Sequence, residues 1–143
     1  MNHEDAYLVL NSLPRIGPVT VQRLLEYFEN DPASILNADR RSLESIRDIG
    51  PSVADAILNW EKQVDLSRIH EQMEQRNLRF ISRTHEQYPT LLAQLYDAPL
   101  GLYWKGEELP QQAAIAFVGT RRCTLYGTKK AKDMARNLAS RGY

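Results

Sequence analysis

The sequence predicts an α + α/β chain, with a small helical domain over residues 1–77 followed by the first part of an open α/β domain over residues 78–143. Three observations predict it. A segment in the first half repeats at an offset of 33 residues; the apolar pattern changes after Asn77 from helical spacing to short continuous runs; and charge divides at the same place. Residues 1–76 hold 8 Lys and Arg against 13 Asp and Glu, a balance of −5, whereas residues 77–143 hold 10 against 5, a balance of +5.

In the first half, apolar residues fall at helical spacing in Val21, Leu24, Leu25 and Phe28, in Val53, Ala54, Ile57 and Trp60, and in Leu66, Ile69 and Met73. Asp31-Pro32 and Ile49-Gly50-Pro51 punctuate these stripes, and Asp65 is placed to cap the last helix. The stripes read as core. In the second half, 78–82 and 100–105 read as strands, and 113–118 (AAIAFV) as a strand buried on both faces. A helix is expected from about Tyr126, with Ala131, Met134, Ala135, Leu138 and Ala139 on one face and Gly142 ending it. Strand, glycine loop and helix make half of a βαβ unit, so a parallel strand is expected after Tyr143 and the chain reads as part of a longer protein.

The repeat aligns 13–25 (LPRIGPVTVQRLL) with 46–58 (IRDIGPSVADAIL), sharing Ile16/Ile49, Gly17/Gly50, Pro18/Pro51 and Leu25/Leu58. Each copy resembles a helix-hairpin-helix motif, in which a glycine turn and the following helix start present backbone N–H groups to a phosphate. Proline directly after the glycine suits the first position of that helix. Gly17 and Gly50 are therefore candidate backbone contacts to DNA. The motif usually begins its turn with a further glycine, where this chain has Arg15 and Asp48, and a carboxylate at Asp48 would repel a phosphate. The alternative is a pair of hairpins used for stability or protein contact.

Composition narrows the function. With 43% hydrophobic and 25% charged residues the chain is expected to fold, and no apolar run approaches the roughly 20 residues of a membrane-spanning helix. The start shows no signal-peptide pattern, so the expected compartment is the cytoplasm. A single cysteine, Cys123, has no partner for a disulfide or a zinc site and reads as a small loop residue. His3, His70 and His85 form no constellation, and no metal site or catalytic residue is expected.

The loop after 113–118 is the candidate site. Val118-Gly119-Thr120-Arg121-Arg122-Cys123-Thr124 stands where an open α/β sheet places its ligands, between a strand end and a helix start. Its one glycine at the strand end is not the Gly-x-Gly-x-x-Gly of dinucleotide sites, so no NAD or FAD cofactor is expected. Gly119, the hydroxyls of Thr120 and Thr124, the guanidinium groups of Arg121 and Arg122, and Lys129 together form a phosphate-binding set. Lys129 and Lys130 in the first turns of a helix oppose its dipole and gain from a nearby anion. The alternative is a solvated basic surface.

Tyr88-Pro-Thr-Leu-Leu92, the segment from Asp97 to Gly106 (DAPLGLYWKG) and the run from Ala116 to Gly127 resemble, in order, the landmarks of the DprA/Smf family of DNA-processing proteins. The resemblance covers residues 78–143, and a variable helical domain in front fits residues 1–77. It implies an extended Rossmann-like fold that binds single-stranded DNA, forms homodimers through segments beyond Tyr143 and helps load RecA in natural transformation, without catalysis. It also implies phosphate contacts at Gly119, Thr120 and Arg121. The competing readings are a Rossmann-like phosphoribohydrolase, which would need acidic and glycine-rich catalytic segments absent from these residues, and a protein-interaction module, which suits the acidic helical half alone. On charge, the loop is expected to carry the phosphate grip and the hairpins to add little.

Overall fold

The computed structural model describes residues 1–106 and 115–142. The chain divides into two compact units, Met1–Glu107 and Glu108–Tyr143.

The first unit is organised around helix α1 (His3–Ser12). Asn2 caps it by accepting the Asp5 N–H at 2.7 Å, and Glu4 and Asp5 place acid in its first turn, where the helix dipole favours it. Ala6, Tyr7, Leu8, Val9 and Leu10 are all buried, so α1 is covered on every side. Helix α2 (Pro18–Tyr27) buries Val21, Leu24 and Leu25 from the expected stripe. Short helices α3 (Pro32–Leu36) and α4 (Arg40–Glu44) begin at Asp31 and Asp39, whose carboxylates accept the Ala33, Ser34 and Ser42 N–H groups. Hydrogen bonds from the Ser34 hydroxyl and the Ala33 N–H hold the Asp31 carboxyl below its ordinary range, and those from the Ser42 N–H and hydroxyl do the same for Asp39. Helices α5 (Pro51–Leu58) and α6 (Trp60–Gln63) follow, with Ala54 and Ile57 in the core. Helix α7 (Leu66–Gln75) is capped by Asp65 as expected, and packs Leu66 and Ile69 against the cluster. His70 Nε2 lies 2.8 Å from Asp5 Oδ1, tying α7 to α1.

After α7 the chain forms an antiparallel ribbon, β1 (Arg79–Ser82) with β2 (Gly101–Trp104), in the register Arg79↔Trp104 to Ser82↔Gly101. Both strands fall where the sequence expects them. Gly101 is required: a Cβ there would run into the Phe80 ring and the Ile81 carbonyl. The excursion between the strands, which contains the short helix α8 (Thr90–Ala93), is closed by the Tyr88 hydroxyl donating to the Pro99 carbonyl at 2.7 Å and Arg83 donating to the Ala93 carbonyl at 2.9 Å. Burial raises the Tyr88 phenol above its ordinary pKa.

The ribbon packs with the helices, whereas the sequence reading divides them at 77/78. Phe80 and Leu100 join the helical core cluster. Ser82, fully buried, donates its N–H to Glu4 Oε2 at 2.9 Å and its hydroxyl to Glu4 Oε1 at 2.6 Å. The first compact unit therefore extends past both strands.

The second unit contains helix α9 (Leu125–Ala139), expected from about Tyr126, and Gly142 turns the chain beyond it with φ +87°. The strand expected at 113–118 is not formed at 115–118: these residues pair with no strand, and Val118 is 94% exposed. Ala113 and Ala114 lie outside the described residues. A strand exists only through a hydrogen-bonded neighbour, and no described residues supply one here. For the same reason the stripe on α9 is uncovered, with Met134 55% exposed. Among the described residues no helix is long and apolar enough to cross a membrane.

Replacing Glu4 with Ala leaves the Ser82 N–H and hydroxyl buried without their acceptor and should lower unfolding free energy by about 1–3 kcal/mol. Glu4→Gln, which keeps an acceptor, should lose less. Chemical denaturation followed by circular dichroism measures both.

Candidate nucleic-acid interface

In the second unit the candidate loop is ordered by short-range bonds. Thr124 is the N-cap of α9, its Oγ1 accepting the Gly127 N–H at 3.1 Å. Thr124 therefore serves first as a cap, and its hydroxyl proton is what remains to offer an anion. The Arg122 N–H reaches Thr120 Oγ1 at 3.3 Å, and Cys123 Sγ lies 3.1 Å from Thr128 Oγ1, so the cysteine is an exposed loop residue as expected. Gly119 does not use the left-handed backbone open to glycine, and a Cβ there would meet nothing within 4 Å. The space above it is open.

Charge around this helix start is uncompensated. Arg136 pairs with Asp133 at 3.6 Å, and Lys130 lies 5.7 Å from the centre of the Tyr126 ring. Arg121, Arg122 and Lys129 are exposed and form no ion pair among the described residues. Free guanidinium groups, a hydroxyl and a helix start on one short stretch can receive an anion of tetrahedral geometry.

The two remaining candidates, Gly17 and Gly50, lie in the first unit. Each is the N-cap of the second helix of its hairpin, with closely similar backbones (φ −105° and −90°, ψ 173° at both), and each is followed by proline. Neither helix has a side-chain cap. By contrast α1, α3, α4, α7 and α9 are all capped by a side chain. The hairpins thus leave backbone N–H groups at the helix start unclaimed by side chains.

Arg15 and Asp48, which stand where the motif usually has glycine, both adopt φ 65°. The glycine conformation is kept without the glycine, at a cost of roughly 1–2 kcal/mol for a residue with a Cβ. Their side chains cross between the hairpins: Arg15 Nη1 donates to Ser52 Oγ at 3.1 Å, and Arg23 Nη1 donates to Asp48 Oδ2 at 2.7 Å. Sequence reasoning identified the substitutions but not this crossing, because its partners are 37 and 25 residues apart.

Comparison with known proteins adds to this geometry. A family model described as DNA recombination-mediator protein A matches residues 79–143, and one described as a SAM-like helix-hairpin-helix tandem matches residues 7–59. Protein Smf of Synechocystis is 26% identical over 99% of this chain, and DNA processing protein DprA of Streptococcus pneumoniae is 28% identical over 82% of it. These matches support membership of the DprA/Smf family. The aligned regions cover 37% and 40% of those two DprA/Smf relatives, so the chain spans about two fifths of their length. No solved structure matches it with significance. Both the capped loop and the start of α9 fall within the segment that the recombination-mediator model matches, and both hairpins fall within the tandem model.

The cap assigned to Thr124 predicts that Thr124→Ala weakens α9 by about 1 kcal/mol and lowers its helix content, whereas Thr124→Asp retains it. Secondary chemical shifts across residues 125–130 report the difference.

Proposed function

We propose that this DprA/Smf-family protein is a cytoplasmic, non-catalytic recombination mediator that binds single-stranded DNA, protects incoming strands and helps load RecA onto them in natural transformation. The observation that carries the reading is the stretch from Gly119 to Lys129: exposed cations with no ion pair among the described residues, at a capped helix start, inside the segment matched by the recombination-mediator model. A phosphodiester backbone is the ligand this chemistry suits. It offers repeated anions and needs no base-specific group.

Gly119 allows close approach, Thr120 and the Thr124 hydroxyl donate hydrogen bonds, and Arg121, Arg122 and Lys129 supply charge. In this reading 115–118 becomes part of a strand of an extended Rossmann-like sheet once its neighbours are present, and the apolar stripe of α9 is covered by that sheet. In this reading the protein acts as a homodimer.

In the intact protein, Arg121→Ala with Arg122→Ala should weaken binding to single strands of any base composition. It should also flatten the dependence of log K on log salt by about 0.7 for each phosphate that is no longer neutralised. Fluorescence anisotropy with labelled oligonucleotides across a salt series measures both quantities. An unchanged salt slope would place the grip elsewhere.

A further inference from the structure

The two hairpins share a backbone but not a chemistry. At the second turn the Asp48 carboxylate is held by Arg23 at 2.7 Å, with Arg47 3.7 Å away, so acid and base there satisfy each other. At the first turn Arg15 occupies the same left-handed conformation, reaches across to the Ser52 hydroxyl and forms no ion pair among the described residues. An open groove starts at this turn, lined by Arg15, Ser52, Asp55, Asn59, Lys62 and Gln63 among others. Lys62 donates to Asn59 Oδ1 at 3.3 Å and, like Arg15, pairs with no carboxylate among the described residues. Asp55, the carboxylate on the wall, is committed to Arg40. The free charge of the groove is therefore positive, within a half of the chain whose balance is −5.

We infer that this groove is a second anion site, in which the side chains of Arg15 and Lys62 take the phosphodiester backbone of a nucleic-acid strand while the second hairpin, closed by its own ion pair, takes none. The inference rests on the reading that the protein binds single-stranded DNA. It goes beyond the loop, and it gives the first hairpin more than overall charge assigns it. It also accounts for the strained turn. Glycine would hold φ 65° without cost, whereas arginine there places a guanidinium at the groove mouth, and a backbone outlier kept against a cheaper residue points to use of its side chain.

The test uses Arg15→Gly, which the left-handed backbone accepts so that the fold is kept, together with Lys62→Gln, in the intact protein. Oligothymidylate affinity at low salt should fall on the order of tenfold, with the log–log salt slope reduced by up to about 1.4 for two phosphates. The paired control, Arg23→Gln with Asp48→Asn, should leave both quantities unchanged. Equal weakening in the control, or unchanged affinity in the groove variant with its melting curve intact, overturns the inference. So does inorganic phosphate, at matched ionic strength, competing as well as the oligonucleotide, since that would mark a site for free phosphate. Run beside the loop variant, the experiment separates the two claims. Weakening in the groove variant alone keeps this site and removes the loop; weakening in neither removes the DNA-binding reading and this inference with it.

Discussion

Five consecutive residues of α1, Ala6 to Leu10, are buried, so the other elements of the first unit must between them cover this helix on every side. Helix α3 packs on α1, and so do β1 and β2. Burial of this kind is non-directional and leaves orientation open. Orientation comes from the polar groups at the start of the helix. Glu4 fixes β1 by accepting both the N–H and the hydroxyl of Ser82, and Asp5 receives His70 of α7. The buried Tyr7 side chain, its phenol raised above its ordinary pKa by desolvation, adds a contact to Thr84 next to the same clasp. One turn of one helix thus joins residues 78 positions apart in the chain.

The hairpins show how a repeat can keep its geometry while its chemistry diverges. Positions 15 and 48 share one backbone conformation, and Gly17 and Gly50 share another. The side chains at 15 and 48 carry opposite charge, and each reaches the helix of the other hairpin. The Arg23–Asp48 pair is too exposed to add more than about 1 kcal/mol. What the crossing supplies is mutual orientation, and what the asymmetry supplies is one turn closed on itself and one left positive.

Elements with a strong local signal were legible in the sequence. The stripes of α2 and α5, the Asp65 cap, the two strands and the start of α9 fall at or within a residue or two of where spacing and turn residues place them. Helix α1 was not legible, because AYLVL is apolar without a period and a helix buried all round shows no amphipathic face. The Glu4–Ser82 clasp was not legible either, since nothing local in HEDAY or RFIS marks two segments that meet only after folding. That clasp carries the ribbon into the first unit, where the change of apolar pattern at Asn77 suggests a boundary. The run AAIAFV reads as a strand from composition, but pairing is a property of neighbours, and no strand is formed at 115–118. In the candidate loop the residue types were legible and their division of labour was not. Thr124 is a cap before it is a ligand, and Thr120 is engaged by the Arg122 N–H.

In the proposed function, DNA recognition rests on cations that form no ion pair among the described residues, at two places: the loop ahead of α9 and the groove beside the first hairpin. Mapping backbone amide shifts as an unlabelled oligothymidylate is titrated into the isotopically labelled protein tests this most directly. Changes are expected at 119–129 and around Arg15, Ser52 and Lys62, with the turn from Asp48 to Gly50 unmoved. Changes concentrated at that second turn, with 119–129 silent, would contradict it.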